Sequence, residues 1–214
     1  MSLPNSLRFN PLPPAARMKS TTVEVTSNSL VYGPSQVIQI NIPRTKGYIE
    51  TSNTYLHFTF TNLTADATPT AQNVTLDGSV MSLFSKIETF AGTTASTLCE
   101  SLDNHGVLAQ ALADVHMSDA EWRGSFSVMA GSNFTRVLND RRRGLTINAG
   151  ASLNFCIPLL SFLGLLSEGR AVPRHEGWTV YLTTSAANAS LVTANGAHTP
   201  NYTLSDIRIT TTML

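Results

Sequence analysis

Charge is what this chain has least of. Asp, Glu, Lys and Arg make up 13% of its 214 residues, fourteen of each sign, so the formal net charge is zero. An average soluble domain carries about 25% charged residues. A lone protein with so little charge is poorly protected from self-association. Two surfaces fit the composition: one rich in Ser, Thr and Asn that stays hydrated without ions, or one largely covered by neighbours. Cysteine is nearly absent. Cys99 and Cys156 lie far apart, with no Cys-x-x-Cys pair and no histidine at ligand spacing, so buried thiols are expected rather than a metal module.

Long apolar runs are missing too. The longest, Ile157–Leu166, is about half the roughly 20 residues that a bilayer-spanning helix needs, so no membrane span is expected. The opening "MSLPNSLRFNPLPPAARMK" has no continuous apolar region and does not read as a secretory signal. Asn-x-Ser/Thr sequons occur at Asn62, Asn73, Asn133, Asn188 and Asn201, as chance allows in a chain this rich in those residues. Catalytic signatures are lacking: there is no G-x-G-x-x-G, Walker loop, H-E-x-x-H or G-x-S-x-G. His57, His105, His116, His175 and His198 are scattered. His105 and His116 could share a helix face, but about 16 Å apart they cannot hold one metal. His57, opposite Phe58 in its strand, reads as solvent-facing. No catalytic residue, cofactor or metal ligand is assigned, and an enzyme is not expected.

What the chain does have is alternation. After residues 1–19, a proline-rich zone without acids that reads as an extended N-terminal arm, residues 20–214 are expected to form a single domain. In "QVIQINIP" (36–43), Val37 and Gln39 take one face and Ile38, Ile40 and Ile42 the other. In "TYLHFTFTN" (54–62), Leu56, Phe58 and Phe60 oppose Tyr55, His57 and Thr59. With "TTVEVTS", "LFSKIETFAG", "GSFSVMAG", "GLTINAGASLNFCI", "GWTVYLTTSA" and "YTLSDIRITTTML", about eight or nine strands are expected. One segment changes period. Leu108, Ala111, Leu112 and Val115 fall at i, i+3, i+4 and i+7, the stripe of an amphipathic helix starting near Asp103 or Asn104, with Gly106 weakening its first turn. An all-β antiparallel sandwich with one short helix in an inter-strand loop follows.

Two segments invite a functional reading. Arg141, Arg142 and Arg143, preceded by Arg136, form the one dense charge cluster. It is either a solvated loop between strands or a contact with nucleic acid at an inner surface or with an acidic neighbour. No aromatic residue interleaves it, so stacking on single strands is not supported. In "NFCIPLLSFLGLLSEGRAVP" (154–173), Pro158 is expected to end a strand, and Leu159, Leu160, Phe162, Leu163, Leu165 and Leu166 cluster after it. Either these six cap the end of the domain or some of them face a neighbouring subunit.

The series "YLHFTFTN", "LDGSVMSLFSKIETFAG", "LCESLDNHGVLAQALADV", "FCIPLLSFLGLLSEGRAVP", "WTVYLTTSAANA" and "YTLSDIRI" resembles the jelly-roll capsid proteins of icosahedral viruses. It is most similar to the first barrel of the double-jelly-roll major capsid proteins of DNA viruses. The resemblance spans about Tyr48 to Ile209. It implies a jelly-roll structural protein that self-assembles into an icosahedral virion shell inside the host cell. Its partners would be copies of itself, in trimers or in pentamers and hexamers, and other capsid proteins, with at most a weak genome contact. It also gives the six apolar residues a subunit interface to fill. Double-jelly-roll proteins carry a second barrel, which this sequence does not include, so both a single-barrel shell or vertex protein and part of a longer polypeptide stay open. A receptor- or glycan-binding jelly roll is the alternative; Trp122 and Trp178 lack the carboxylate company of a sugar site. A cupin-like enzyme would need clustered histidines.

Overall fold

The structure, a computed structural model, describes residues 20–64, 73–92, 94, 97–116, 143–158, 171–173, 175–193 and 199–214. The strands are β1 (Thr21–Thr26), β2 (Val31–Tyr32), β3 (Val37–Ile42), β4 (Tyr48–Asn62), β5 (Val74–Asp77), β6 (Phe84–Ala91), β7 (Thr97–Asp103), β8 (Arg143–Ile147), β9 (Ser152–Pro158), β10 (Ala171–Pro173), β11 (Trp178–Thr184), β12 (Leu191–Thr193) and β13 (Tyr202–Met213). A 3-10 turn (Val80–Leu83) precedes β6; helix α1 (His105–His116) follows β7, and a one-turn helix, α2 (Ala187–Ser190), follows β11. The expected arm and the expected strand "GSFSVMAG" lie outside the described residues.

Among the described residues all strand pairings are antiparallel. In the first sheet β13 lies between β4 and the edge formed by β1 and β2, while β9 and β10 line the other side of β4. The second sheet runs β3-β11-β6-β7, and β12-β5-β8 form a small third sheet. Because β1 and β2 share one lane and β9 and β10 another, the two large sheets hold eight lanes among the described residues. Numbered along the chain, these run 1-8-3-6 in one sheet and 2-7-4-5 in the other.

Alternation places the core between these sheets. Ile38, Ile40, Leu56, Phe58 and Phe60 are buried on the phases that the sequence predicts. Phe58 of the first sheet meets Phe84 of the second edge to face at 5.5 Å and Phe155 at 5.7 Å. Phe60 stacks on Tyr202 at 5.6 Å. Each fully buried side chain of this kind contributes about 1.5–3 kcal/mol. The Tyr202 hydroxyl donates to the Ser185 carbonyl at 2.7 Å, and burial pushes its pKa up to about 12.

The helix is where the sequence predicts one, but its first turns bury other residues than the expected stripe, of which the Leu112 and Val115 side chains lie outside the described residues. His105 and Ala109 are buried, whereas Leu108 and Ala111 of the expected stripe are exposed. Gly106 explains the rotation. Rather than merely weakening the first turn, it lets α1 settle on the backbone of the 3-10 turn, at a distance that only a residue without Cβ permits. Both cysteines are free thiols, as expected, but not buried ones: Cys99 is exposed and Cys156 half-buried, because β7 is an edge strand and Cys156 lies on a solvent-side phase of β9.

Candidate assembly surfaces

The outward face of the first sheet carries exposed Val31 of β2 and a run of polar pairs. Thr59 Oγ1 donates to Asn154 Oδ1 at 2.7 Å, and the Thr61 and Ser152 hydroxyls are 2.8 Å apart. A bulge in β13 interrupts this regularity: Ser205 pairs with Thr59 and Arg208 with His57, so Asp206 and Ile207 together oppose Phe58. Asp206 takes the strained positive φ of 51°, which keeps Ile207 buried and Asp206 exposed. Arg208 then reaches Asp206 at 3.2 Å and Glu24 at 3.9 Å.

His57 stands in register between Arg208 and Cys156, half-buried on this face rather than fully solvent-facing. Its Nε2 lies 3.7 Å from the Cys156 sulfur. Burial, then the Arg208 guanidinium, hold the imidazole below its ordinary pKa, while burial raises the thiol. Both effects favour neutral partners over the thiolate–imidazolium pair of a nucleophilic cysteine. Among the described residues no group of three or more His, Cys, Asp or Glu is placed to hold a metal, and no helix is long and apolar enough to cross a membrane.

The outward face of the second sheet is different. Phe90 and Tyr181 lie on its solvent side and meet edge to face at 5.4 Å. Leu98 of β7 pairs with Phe90 in register and is 52% exposed. Around this apolar centre Lys86 binds Glu88 at 2.9 Å and Asp103 at 3.5 Å, and Ser101 donates to Glu88 at 3.3 Å. Sequence reasoning passed over these residues. The available signal was phase: Phe90 and Tyr181 are large aromatics at the positions where their strands otherwise point to water.

The third sheet sits where β4, β9 and β13 come together at Asn62, Ser152 and Tyr202. Buried Asn62 ties it there, donating from Nδ2 to the Ile147 carbonyl at 3.2 Å and accepting from the Thr64 amide at 3.0 Å. Arg136, Arg141 and Arg142 lie outside the described residues. Arg143 is not between strands as expected: it opens β8, in register with Asp77, and only the placement of its backbone is described. Gly144 holds it at this rim, since a Cβ there would lie 2.6 Å from the Leu76 carbonyl oxygen.

Leu159, Leu160, Phe162, Leu163, Leu165 and Leu166 also lie outside the described residues; their two ends do not. β9 ends at Pro158 opposite Tyr55, as expected for that proline, and β10 rejoins the same side of β4 at Ala171 opposite Glu50. Residues 159–170 thus link two points five positions apart on β4.

Eight antiparallel lanes interleaved as 1-8-3-6 and 2-7-4-5 define a jelly roll. Solved structures share that fold. The Faustovirus major capsid protein superposes with a TM-score of 0.58 at 11% identity, over 96% of this chain and 56% of its own. A chain of the Sputnik virophage particle gives 0.53 at 10% identity, over 100% of this chain and 52% of its own. VP54 of PBCV-1 gives 0.51 at 13% identity, over 91% and 42%. This chain therefore spans about half the length of the proteins it matches. No protein-family model and no curated protein sequence matches it.

Proposed function

We propose that this chain is a structural capsid subunit that assembles with copies of itself, and with other capsid proteins, into an icosahedral virion shell within the host cell. One observation carries the reading: the jelly-roll topology is shared along 96% of the chain with the Faustovirus major capsid protein, at a TM-score of 0.58. The sparse charge supports it, because a surface short of ions gains most when neighbours cover it. In this reading residues 20–214 form one barrel, residues 1–19 tether it to a neighbour, and the protein works without catalysis or a cofactor.

Two contacts belong to the same proposal. Leu159, Leu160, Phe162, Leu163, Leu165 and Leu166 supply a subunit interface. Arg136, Arg141, Arg142 and Arg143 meet a weakly bound genome at the inner surface. Light scattering on size-exclusion fractions of the 214-residue chain, followed by negative-stain imaging, is the test. Rings or shells support the proposal. A single-chain mass up to about millimolar concentration would overturn it, and tight glycan binding by that monomer would point to a binding module.

A further inference from the structure

We infer that the outward face of the β3-β11-β6-β7 sheet binds the proline-rich segment of this chain's own residues 1–19. The inference deepens the capsid reading, in which those residues tether a neighbour, by naming the surface that receives them. In a lone chain the receiving barrel is the chain's own, and exchange of the same contact between copies is the tether. The face has what an extended proline-rich ligand needs. Prolines lie against aromatic rings, and Tyr181 and Phe90 meet edge to face at 5.4 Å on the solvent side. A polyproline helix makes no internal hydrogen bonds, so its carbonyls take outside donors. Gln39 stands in register with Tyr181, and its Nε2 donates to Asn41 Oδ1 at 3.1 Å. That bond uses one N–H of the pair and leaves both carboxamides with N–H groups to offer.

Charge is complementary as well. Residues 1–19 hold Pro4, Pro11, Pro13 and Pro14 with Arg8, Arg17 and Lys19, and no acid. On the outward phases of the four strands the described charges are Lys86, Glu88 and Asp103, one cation against two carboxylates. Asp103 is loosely engaged, 3.5 Å from Lys86 with 74% of its side chain exposed, and can take an arginine. The segment also starts from the right place. Thr21 pairs with Met213 and Met213 with Ile49, while Ile42, Trp178, Ala91 and Thr97 form one row across the second sheet. Residues 43–47 join Ile42 to Tyr48, so Ser20 lies at the end of the barrel that holds Phe90. Ser27 bridges to Ile40, which makes β3 the neighbour of β1. Phe90 on β6 is then three lanes from β1, about 15 Å at about 4.8 Å per lane. A polyproline segment advances about 3.1 Å per residue, so Pro14 and the prolines before it can reach the rings.

Trypsin digestion of the 214-residue chain, followed by mass spectrometry, tests the inference at the bond after Arg8. Cleavage there is expected to be at least about fivefold slower than in a synthetic peptide of residues 1–19, at a rate that dilution of the protein leaves unchanged. Tyr181→Thr removes the ring from a strand that already carries Thr179 and Thr183 on the same phase, and should restore the peptide's rate. Cleavage after exposed Arg44 should stay the same in both proteins. Pro13→Gly combined with Pro14→Gly leaves the barrel untouched and should also restore the rate, judged against a peptide with the same changes. An Arg8 bond cut as fast as in the peptide, or protection that both variants keep, overturns the inference. Protection that disappears on dilution would put the segment on another copy's sheet and overturn docking on its own. Shells built from a chain with an unprotected Arg8 bond would refute this site and keep the capsid reading. A protected segment in a chain that stays single at every concentration would do the reverse.

Discussion

Gly106 and Ser82 are in backbone contact: a Cβ on Gly106 would lie 2.8 Å from the Ser82 Cα and 3.0 Å from the Met81 carbonyl oxygen. Two effects then oppose each other in Gly106→Ala. Helix propensity favours alanine by about 1 kcal/mol. The clash is with main chain, which cannot rotate aside, and overpacking of that kind costs about 1–3 kcal/mol. The clash should win, so Gly106→Ala is expected to lower the urea midpoint without changing the denaturant slope. A raised midpoint would mean that α1 does not rest on the 3-10 turn.

The same contact shows where the sequence could be read and where it could not. Strands with one buried face announce themselves: Ile38 and Ile40, or Leu56, Phe58 and Phe60, repeat every second residue because the pleat leaves no alternative. β7 gives no such signal. As an edge strand, with Thr97, Leu98, Cys99, Ser101 and Asp103 all exposed, it lacks the contrast from which strands are recognised, and its residues read as an approach to the helix. The helix itself was legible but its orientation was not. Leu108 looks like a core residue until Gly106 brings the neighbouring face to within backbone distance. Phe90 and Tyr181 were overlooked for a related reason: apolar residues in a strand are assigned to the core unless their phase is checked one by one.

His105 predicts an acid-labile fold. Burial drives its pKa down from 6.5 to about 4, against an opposing hydrogen bond with the Phe84 backbone. The folded state thus keeps the imidazole neutral at pH values where the unfolded chain has already bound a proton. Its contribution is fully present above about pH 6.5 and is lost as pH falls towards 4, by up to roughly 3 kcal/mol. Urea titrations from pH 7 to 4 should show the decline, and His105→Gln should flatten it even if the variant is less stable throughout. An equal slope in both proteins would remove His105 as the cause.

Tyr202→Phe removes one buried hydroxyl, which also interacts with the Thr184 and Ser190 side chains. The ring keeps its stack on Phe60, while the Ser185 carbonyl loses the hydroxyl that donates to it at 2.7 Å. A cost of about 1–2 kcal/mol is expected, read as a lower urea midpoint. A neutral result would mean that water or another donor serves Ser185 equally well.

The arginine proposal is tested at Arg136, Arg141 and Arg142, leaving Arg143, which opens β8, in place. Alanine at Arg136, Arg141 and Arg142 should lower the nucleic-acid content of assembled particles, measured as the ratio of absorbance at 260 and 280 nm. It should also weaken the salt dependence of nucleic-acid binding, since each lost phosphate contact releases one fewer counterion. Unchanged particles would leave these side chains as ordinary loop charge.

Phe162→Asp and Leu163→Asp test the apolar segment, and the strand ends on either side of it say why assembly should suffer before folding does. Inward positions on this lane are already occupied: Ile157 pairs with Leu56 and Val172 with Ile49, and all four are buried. The strand ends on either side of residues 159–170 thus bring buried apolar side chains of their own to the barrel seam. If two or three of the six apolar side chains between them meet a neighbour, each can contribute about 1.5–3 kcal/mol, enough to offset part of the entropy of association, and symmetry repeats the contact around a closed shell. Both substitutions should therefore abolish rings or shells in negative stain while the β-type circular dichroism and the urea midpoint stay close to wild type. Loss of the β spectrum would place these side chains in the core and end the interface proposal. Retained assembly would do so as well, by showing that a charge is tolerated where a neighbour was supposed to pack.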